Sequence, residues 1–88
     1  MSYAEAELKV IQWAEARKII PNSNSQTQLL KTVSELGELA DAVVKRDRLQ
    51  IIDGIGDVLV TLIIVCALED LDLVQCLQSA YLEIKFLF

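Results

Sequence analysis

No histidine occurs anywhere in the chain, and cysteine occurs only twice, as Cys66 and Cys76. Their spacing matches no metal motif, so the usual Cys/His zinc pairings are excluded. Both fall in apolar stretches that read as helical, and two buried thiols fit a cytoplasmic protein. Positive charge is scarce as well. Eight Lys and Arg stand against 13 Asp and Glu, a net charge of −5. That balance argues against a nucleic-acid polymer or an anionic membrane surface as partner, since both call for a basic patch. An acidic chain binds a phosphorylated molecule when a cation sits between them. No basic-then-apolar leader opens the sequence, so no secretory signal is expected. The longest apolar run, Val58 to Leu68, has about 11 residues where a membrane span needs about 20, and reads as a buried core helix. Repeats and low-complexity tracts are absent too.

What is present is hydrophobicity out of proportion to size. The 88 residues, 53% of them hydrophobic, make one domain over 1–88. A chain this short buries only about 60% of its unfolded surface. The surplus apolar surface calls for subunit contacts, so a homo-oligomer, dimer or tetramer, is expected.

Four start signals mark four helices. Ser2 with Glu5 is a capping box opening a helix to about Ile19. Pro21, Asn22, Ser23 and Asn24 form a loop. Ser25 with Gln28 opens a second helix to about Lys45, Asp47 with Gln50 a third to about Leu68, and Asp72 with Gln75 a fourth to about Lys85. Short connections imply antiparallel neighbours, so the expected fold is all-α, a four-helix bundle-like protomer completed by oligomerisation. The β-branched stretch Val58–Val65 competes as a strand, but Ile51–Leu68 holds no turn signal and exceeds strand length. Gly54 and Gly56 each lower helix propensity by up to about 1 kcal/mol, which suggests that something approaches the helix closely there.

The candidate chemistry lies on the two middle helices. Lys31, Glu35, Glu38 and Lys45 fall on one stripe of the second, with Leu29, Val33, Leu36, Ala40 and Val43 opposite. By itself that stripe reads as a solvated face with a Lys–Glu pair. On the third helix Asp53 and Asp57 project to one side, one turn apart, with Thr61 extending the row. Like charges that close disfavour double ionisation unless a cation compensates. If the two helices pack antiparallel, Glu35 and Glu38 approach Asp53 and Asp57. Such hard oxygen donors suit magnesium, whose coordination is completed by waters and substrate phosphates.

Two segments together, Ser34-Glu35-Leu36-Gly37-Glu38-Leu39-Ala40-Asp41-Ala42 and Asp53-Gly54-Ile55-Gly56-Asp57-Val58-Leu59, resemble the MazG-like nucleotide pyrophosphohydrolases of the all-α NTP pyrophosphatase group. The family pattern is Glu-Glu-x-x-Glu, a gap, then Glu-x-x-Asp. The resemblance extends to Trp13–Arg17, the Asn-Ser loop and Ala80–Lys85. It implies magnesium-dependent cleavage of a nucleoside or deoxynucleoside triphosphate between the α and β phosphates, giving a monophosphate and pyrophosphate, in a dimer or tetramer of helical bundles that removes surplus or damaged nucleotides. Carried over by position, Glu35 and Glu38 match the second and third glutamates and Asp57 the final aspartate. Ser34 stands at the first glutamate, and Gly54 where the second motif has glutamate. Asp53 lies beside it, and phage-like members carry an Asp-x-Ile-Gly-Asp version. Leu82 replaces an asparagine often found before the terminal lysine, and relatives usually continue past Phe86-Leu87-Phe88 into a basic, glycine-containing tail.

The resemblance thus implies Glu35, Glu38, Asp53 and Asp57 as metal ligands, with Glu35 and Glu38 also catalytic. Lys31 and Lys85 read either as phosphate contacts or as solvated lysines. Trp13 and Tyr81 read either as platforms for a base or as core and interface aromatics. The alternative to an enzyme is a degenerate helical oligomer acting as a binding or interaction module.

Overall fold

The computed structural model describes residues 1–87, all of whose regular elements are helices: α1 (Tyr3–Ala16), α2 (Ile19–Asn22), α3 (Ser25–Lys45), α4 (Arg48–Leu68) and α5 (Leu73–Ile84). Phe88, the last residue of the expected chain end, lies outside the described residues. The all-α expectation holds, and three of the four start signals work as read. The side chains of Ser2, Asp47 and Asp72 accept from the backbone N–H groups of Glu5, Gln50 and Gln75, satisfying donors that a helix start leaves open. The cap of α3 is one residue earlier than expected: Asn24 Oδ1, not Ser25, accepts from Thr27 at 2.8 Å.

The first helix is broken where the sequence suggested continuity. Lys18 adopts the left-handed conformation (φ 63°), ending α1 at Ala16, and Ile19–Asn22 form a single helical turn around Pro21. Arg46 and Asp70 take the same conformation after α3 and α4, and each turn closes with a backbone bond, Asp47 N to Ala42 O and Leu71 N to Cys66 O. Such caps usually employ glycine. Here all three glycines lie inside helices with negative φ, so the break after Ala16 carries no signal in the sequence.

The centre of the fold is the α3–α4 hairpin. Thr32 stands opposite Thr61, Glu35 opposite Asp57 and Leu39 opposite Gly54, an antiparallel register. Gly54 is what lets the helices close: a Cβ there would meet Leu39 Cα and Cβ at 3.3 Å and Cδ1 at 3.2 Å. The expected close approach is thus real at Gly54 and absent at Gly56, where nothing lies within 4 Å. The row that α3 turns inward is polar in its first half, at Gln28, Thr32 and Glu35, and apolar beyond, at Leu39 and Ala42. Gln28, Thr32 and Ala42 are its buried residues. Thr61 Oγ1 donates to the Val58 carbonyl at 2.8 Å and accepts from Thr32 Oγ1 at 2.9 Å, with the Gln28 carbonyl 3.1 Å from the Thr32 hydroxyl.

The opposite row of α3, Leu29, Val33, Leu36 and Val43, is more than half exposed. Helix α1 packs on α4, while α5 approaches only α4 and buries none of its residues. The core is accordingly thin: Ala14, Ala42, Ile63, Ile64 and Cys66. Ile63 of α4 is covered by its own chain. Cys76, read as buried, is exposed, while burial and the neighbouring Cys76 thiol push Cys66 up to about 11. The 9.8 kDa chain exposes 6700 Å², against about 5,200 Å² for a folded monomer of that mass. Its radius of gyration is 14.3 Å, against about 12 Å for a compact domain of this length. By length and composition α4 is apolar enough to cross a membrane, with a mean hydropathy of 2.3 over 18 residues, more than the run Val58–Leu68 suggested. The core helix of a soluble protein has the same profile.

Candidate functional site

The acidic residues of the hairpin meet because the register sets Glu35 opposite Asp57. Glu35 follows Thr32 on the inward row of α3, and Asp57 precedes Thr61 by one turn on α4. Both are half-buried, while Glu38 and Asp53 are exposed beside them. Burial raises the Glu35 carboxyl above its ordinary value. The charge of Glu38, a hydrogen bond with it and the charge of Asp57 push the same way, and Lys31 opposes them. Asp57 is raised first by burial, then by the charges of Asp53 and Glu38 and a hydrogen bond with Asp53. Acids from two helices therefore bear on Glu35 and Asp57 and make these two harder to ionise.

The donor set is all oxygen and strongly acidic, which is the chemistry that a hard divalent cation requires. Among the described residues, however, no three His, Cys, Asp or Glu side chains converge closely enough to hold an ion. The carboxylates are neighbours in pairs, within electrostatic reach but outside a common coordination sphere. Lys45, on the same predicted stripe, does not join them. Its Nζ lies 2.8 Å from Asp41 Oδ2 in an exposed pair one helical turn apart.

Two adjoining hollows flank the acids. One, of about 360 Å³, is lined by Lys9, Val10, Trp13, Asp57 and Val60. The other, of about 130 Å³, shares Trp13 and Val60 and adds Gln28, Lys31 and Thr61 among its walls. Trp13 is 44% exposed, with the Arg17 guanidinium 5.9 Å from its ring centroid. Of the candidate substrate contacts, Lys31 and Trp13 thus stand beside the carboxylates. Tyr81 and Lys85 stand apart within one chain. Tyr81 lines a separate hollow with Leu77, Gln78 and Leu82, Lys85 Nζ lies 4.8 Å from the Phe86 ring centroid, and α5 makes no close approach to α1 or α3. Lys9 and Gln28 were not singled out from sequence. Lys9 was legible, lying one turn before Trp13 on the same face of α1. Gln28 was read only as a capping residue.

The profile of the MazG nucleotide pyrophosphohydrolase domain matches residues 23–82, which take in α3, α4 and all four carboxylates. Among curated proteins, an uncharacterized 18.2 kDa protein from the rep-hol intergenic region of Haemophilus phage HP1 (strain HP1c1) is 38% identical over 61 residues. The aligned segment is 69% of this chain and 37% of that protein, so the chain spans well under half of its relative's length. No solved structure matches.

Proposed function

Since the chain belongs to the MazG nucleotide pyrophosphohydrolase domain family, we propose that it is a magnesium-dependent enzyme cleaving nucleoside or deoxynucleoside triphosphates to a monophosphate and pyrophosphate. Enzymes of this family generally use a divalent metal. Glu35, Glu38 and Asp57 are the proposed ligands of Mg²⁺, with Asp53 as the fourth, and the cation when bound supplies charge neutralisation along the phosphate chain and eases deprotonation of water. The residues of the chain do the rest. Glu35 and Glu38, whose carboxyls interact, orient the attacking water and take its proton. Lys31, beside Glu35, steadies phosphate charge. Trp13 flanks the base. Tyr81 and Lys85 serve a substrate only if a second subunit brings them to the acids.

The observation that carries this reading is the gathering of acids across α3 and α4, where Glu35 and Asp57 are held above their ordinary values by burial and by the acids around them, within the segment that the family profile covers. Asp53 in place of a glutamate at position 54 has a steric rationale. A Cβ at position 54 would press on Leu39 at 3.2–3.3 Å, which favours an outer carboxylate supplied from position 53. The working form is a cytoplasmic homo-oligomer with neither a nucleic-acid polymer nor a membrane as partner. The net charge of −5 speaks against a nucleic-acid partner, and the exposed apolar rows of α3 and α5 support the oligomer.

A second reading, a non-catalytic helical oligomer serving as an interaction module, draws support from the absence of a three-donor cluster among the described residues. Incubation with the eight common ribo- and deoxyribonucleoside triphosphates and Mg²⁺ separates the two. The enzyme releases pyrophosphate from at least one, and its melting temperature rises with Mg²⁺. Silence on both counts leaves the module.

A further inference from the structure

The two cysteines of the chain stand at equal distances before and after Leu71, in the turn that joins α4 to α5. That turn folds back tightly. Leu71 N donates to the Cys66 carbonyl at 2.8 Å, and one turn into α5 the Cys76 N donates to the Asp72 carbonyl at 3.2 Å. A connection this short sets the two helix ends side by side. Burial shows which sides face each other. Leu73 is the one half-buried residue of α5, and Cys76 follows it three positions on, along the same face. Cys66 is among the buried residues of α4. The two thiols accordingly lie close enough to interact, and both are free. They differ in access: Cys66 is buried and Cys76 meets solvent.

We propose that Cys66 and Cys76 form a reversible disulfide that clamps α5 to the end of α4, so that the attachment of α5 follows the thiol–disulfide balance around the protein. Little else holds this helix: it approaches only α4 and buries none of its residues. The co-reactant is a small-molecule disulfide of the glutathione class. Cys76 loses its proton and attacks one sulfur of that disulfide, whose S–S bond breaks, and the first small thiolate leaves and takes up a proton. Cys66, on losing its own proton, attacks Cys76 Sγ, and the second small thiol is released in the same way. Two protein thiols are thereby oxidised by two electrons, and one small disulfide is reduced to two thiols. Excess small thiol reverses both steps. The second step is the slow one, because burial and, more weakly, Glu7 and Asp72 keep Cys66 protonated. In a reducing compartment a bond of this kind is transient and serves as a sensor. The inference is independent of the nucleotide reading, since neither cysteine belongs to the acidic site.

The test equilibrates the full chain, without oxygen, in glutathione buffers of rising oxidised-to-reduced ratio, quenches with acid, and reads the intact mass. A single transition is expected, to a species that has lost two hydrogens, carries no glutathione and runs as one chain on non-reducing denaturing electrophoresis. Excess reduced glutathione should reverse it fully. The oxidised chain should melt on the order of 10 °C higher than the reduced one, the scale of closing a loop this short in a small domain. The backbone amides of α5 should exchange with solvent about tenfold or more slowly. Both differences should vanish in Cys76→Ser, a substitution at an exposed position, while Cys66→Ala should stop at a glutathione adduct on Cys76. A parent chain that stays dithiol at every ratio overturns the proposal, as does one that stops at the adduct or links two chains together. A disulfide that forms within one chain but leaves α5 exchange unchanged overturns the clamp.

Discussion

Glu35 and Asp57 hold their protons above the ordinary range because burial and like-charged neighbours disfavour the ionised form. The consequence for stability runs opposite to ordinary acid denaturation. Between their ordinary values, 4.5 and 3.8, and the raised ones, the folded state binds more protons than the unfolded chain. The contribution of these groups to stability is therefore fully present below the ordinary values and falls as pH rises through the raised ones. Thermal unfolding of the metal-free protein from about pH 4 to about pH 7, beside a Glu35→Gln/Asp57→Asn double variant, isolates it. The parent should lose melting temperature relative to the variant as pH rises. A constant difference would show that the two carboxyls titrate normally. Glu38 is exposed, yet it bears on both groups, so Glu38→Gln is expected to abolish metal-dependent turnover, keep the helical content and raise the melting temperature of the metal-free chain. Unchanged turnover removes Glu38 from the site. These acids were legible in the sequence because i, i+3 and i, i+4 spacing fixes helix faces. Gln28 was not, because its burial exists only once the chain has folded around it.

Helix starts were legible, and so were the ends near Lys45, Leu68 and Ile84; the break after Ala16 was not. Ser2, Asp47 and Asp72 cap by side-chain chemistry that one residue carries alone, whereas Lys18, Arg46 and Asp70 occupy left-handed positions where glycine would have been the signal. Such a position strains an L-residue by about 1–2 kcal/mol, strain that the closing backbone bonds offset. The orientation of α3 was harder still. Its apolar row, Leu29–Val33–Leu36–Val43, has the pattern of a core face, yet the hairpin closes on the polar row through Thr32 and Thr61. The glycine at position 54 favours that choice, since a Cβ there would press on Leu39 at 3.2–3.3 Å. Gly54→Ala gains up to about 1 kcal/mol of helix propensity but must push against Leu39 backbone, and overpacking of this kind costs about 1–3 kcal/mol. A net fall in melting temperature is expected. Gly56→Ala, with nothing within 4 Å, keeps the propensity gain and should melt higher. Equal shifts in the two variants would show that the helices do not pack at position 54.

At the scale of the molecule the surface does not balance. The exposed area exceeds the monomer expectation by about 1,500 Å², nearly twice the roughly 800 Å² that one partner contributes to a standard interface. The apolar row of α3 and the amphipathic α5 are the surfaces with most to gain from cover, and neither finds it within the chain. Stability should therefore depend on protein concentration, as in obligate oligomers. Sedimentation should find no folded monomer at micromolar concentration, and Leu36→Asp should shift the distribution toward dissociated, unfolded chain. A folded monomer in the parent would contradict this. The oligomer and the hydrolase are linked claims, because Tyr81 and Lys85 reach the acids only from another copy. The central one is the chemistry itself, and the position of the bond cleaved tests it most directly. Phosphorus NMR of a nucleoside triphosphate turned over by the full chain with Mg²⁺ should show a nucleoside monophosphate and pyrophosphate appearing in equal amounts, both vanishing in Glu38→Gln. Appearance of a diphosphate with orthophosphate, or an unchanged triphosphate spectrum for every nucleotide tried, would contradict it.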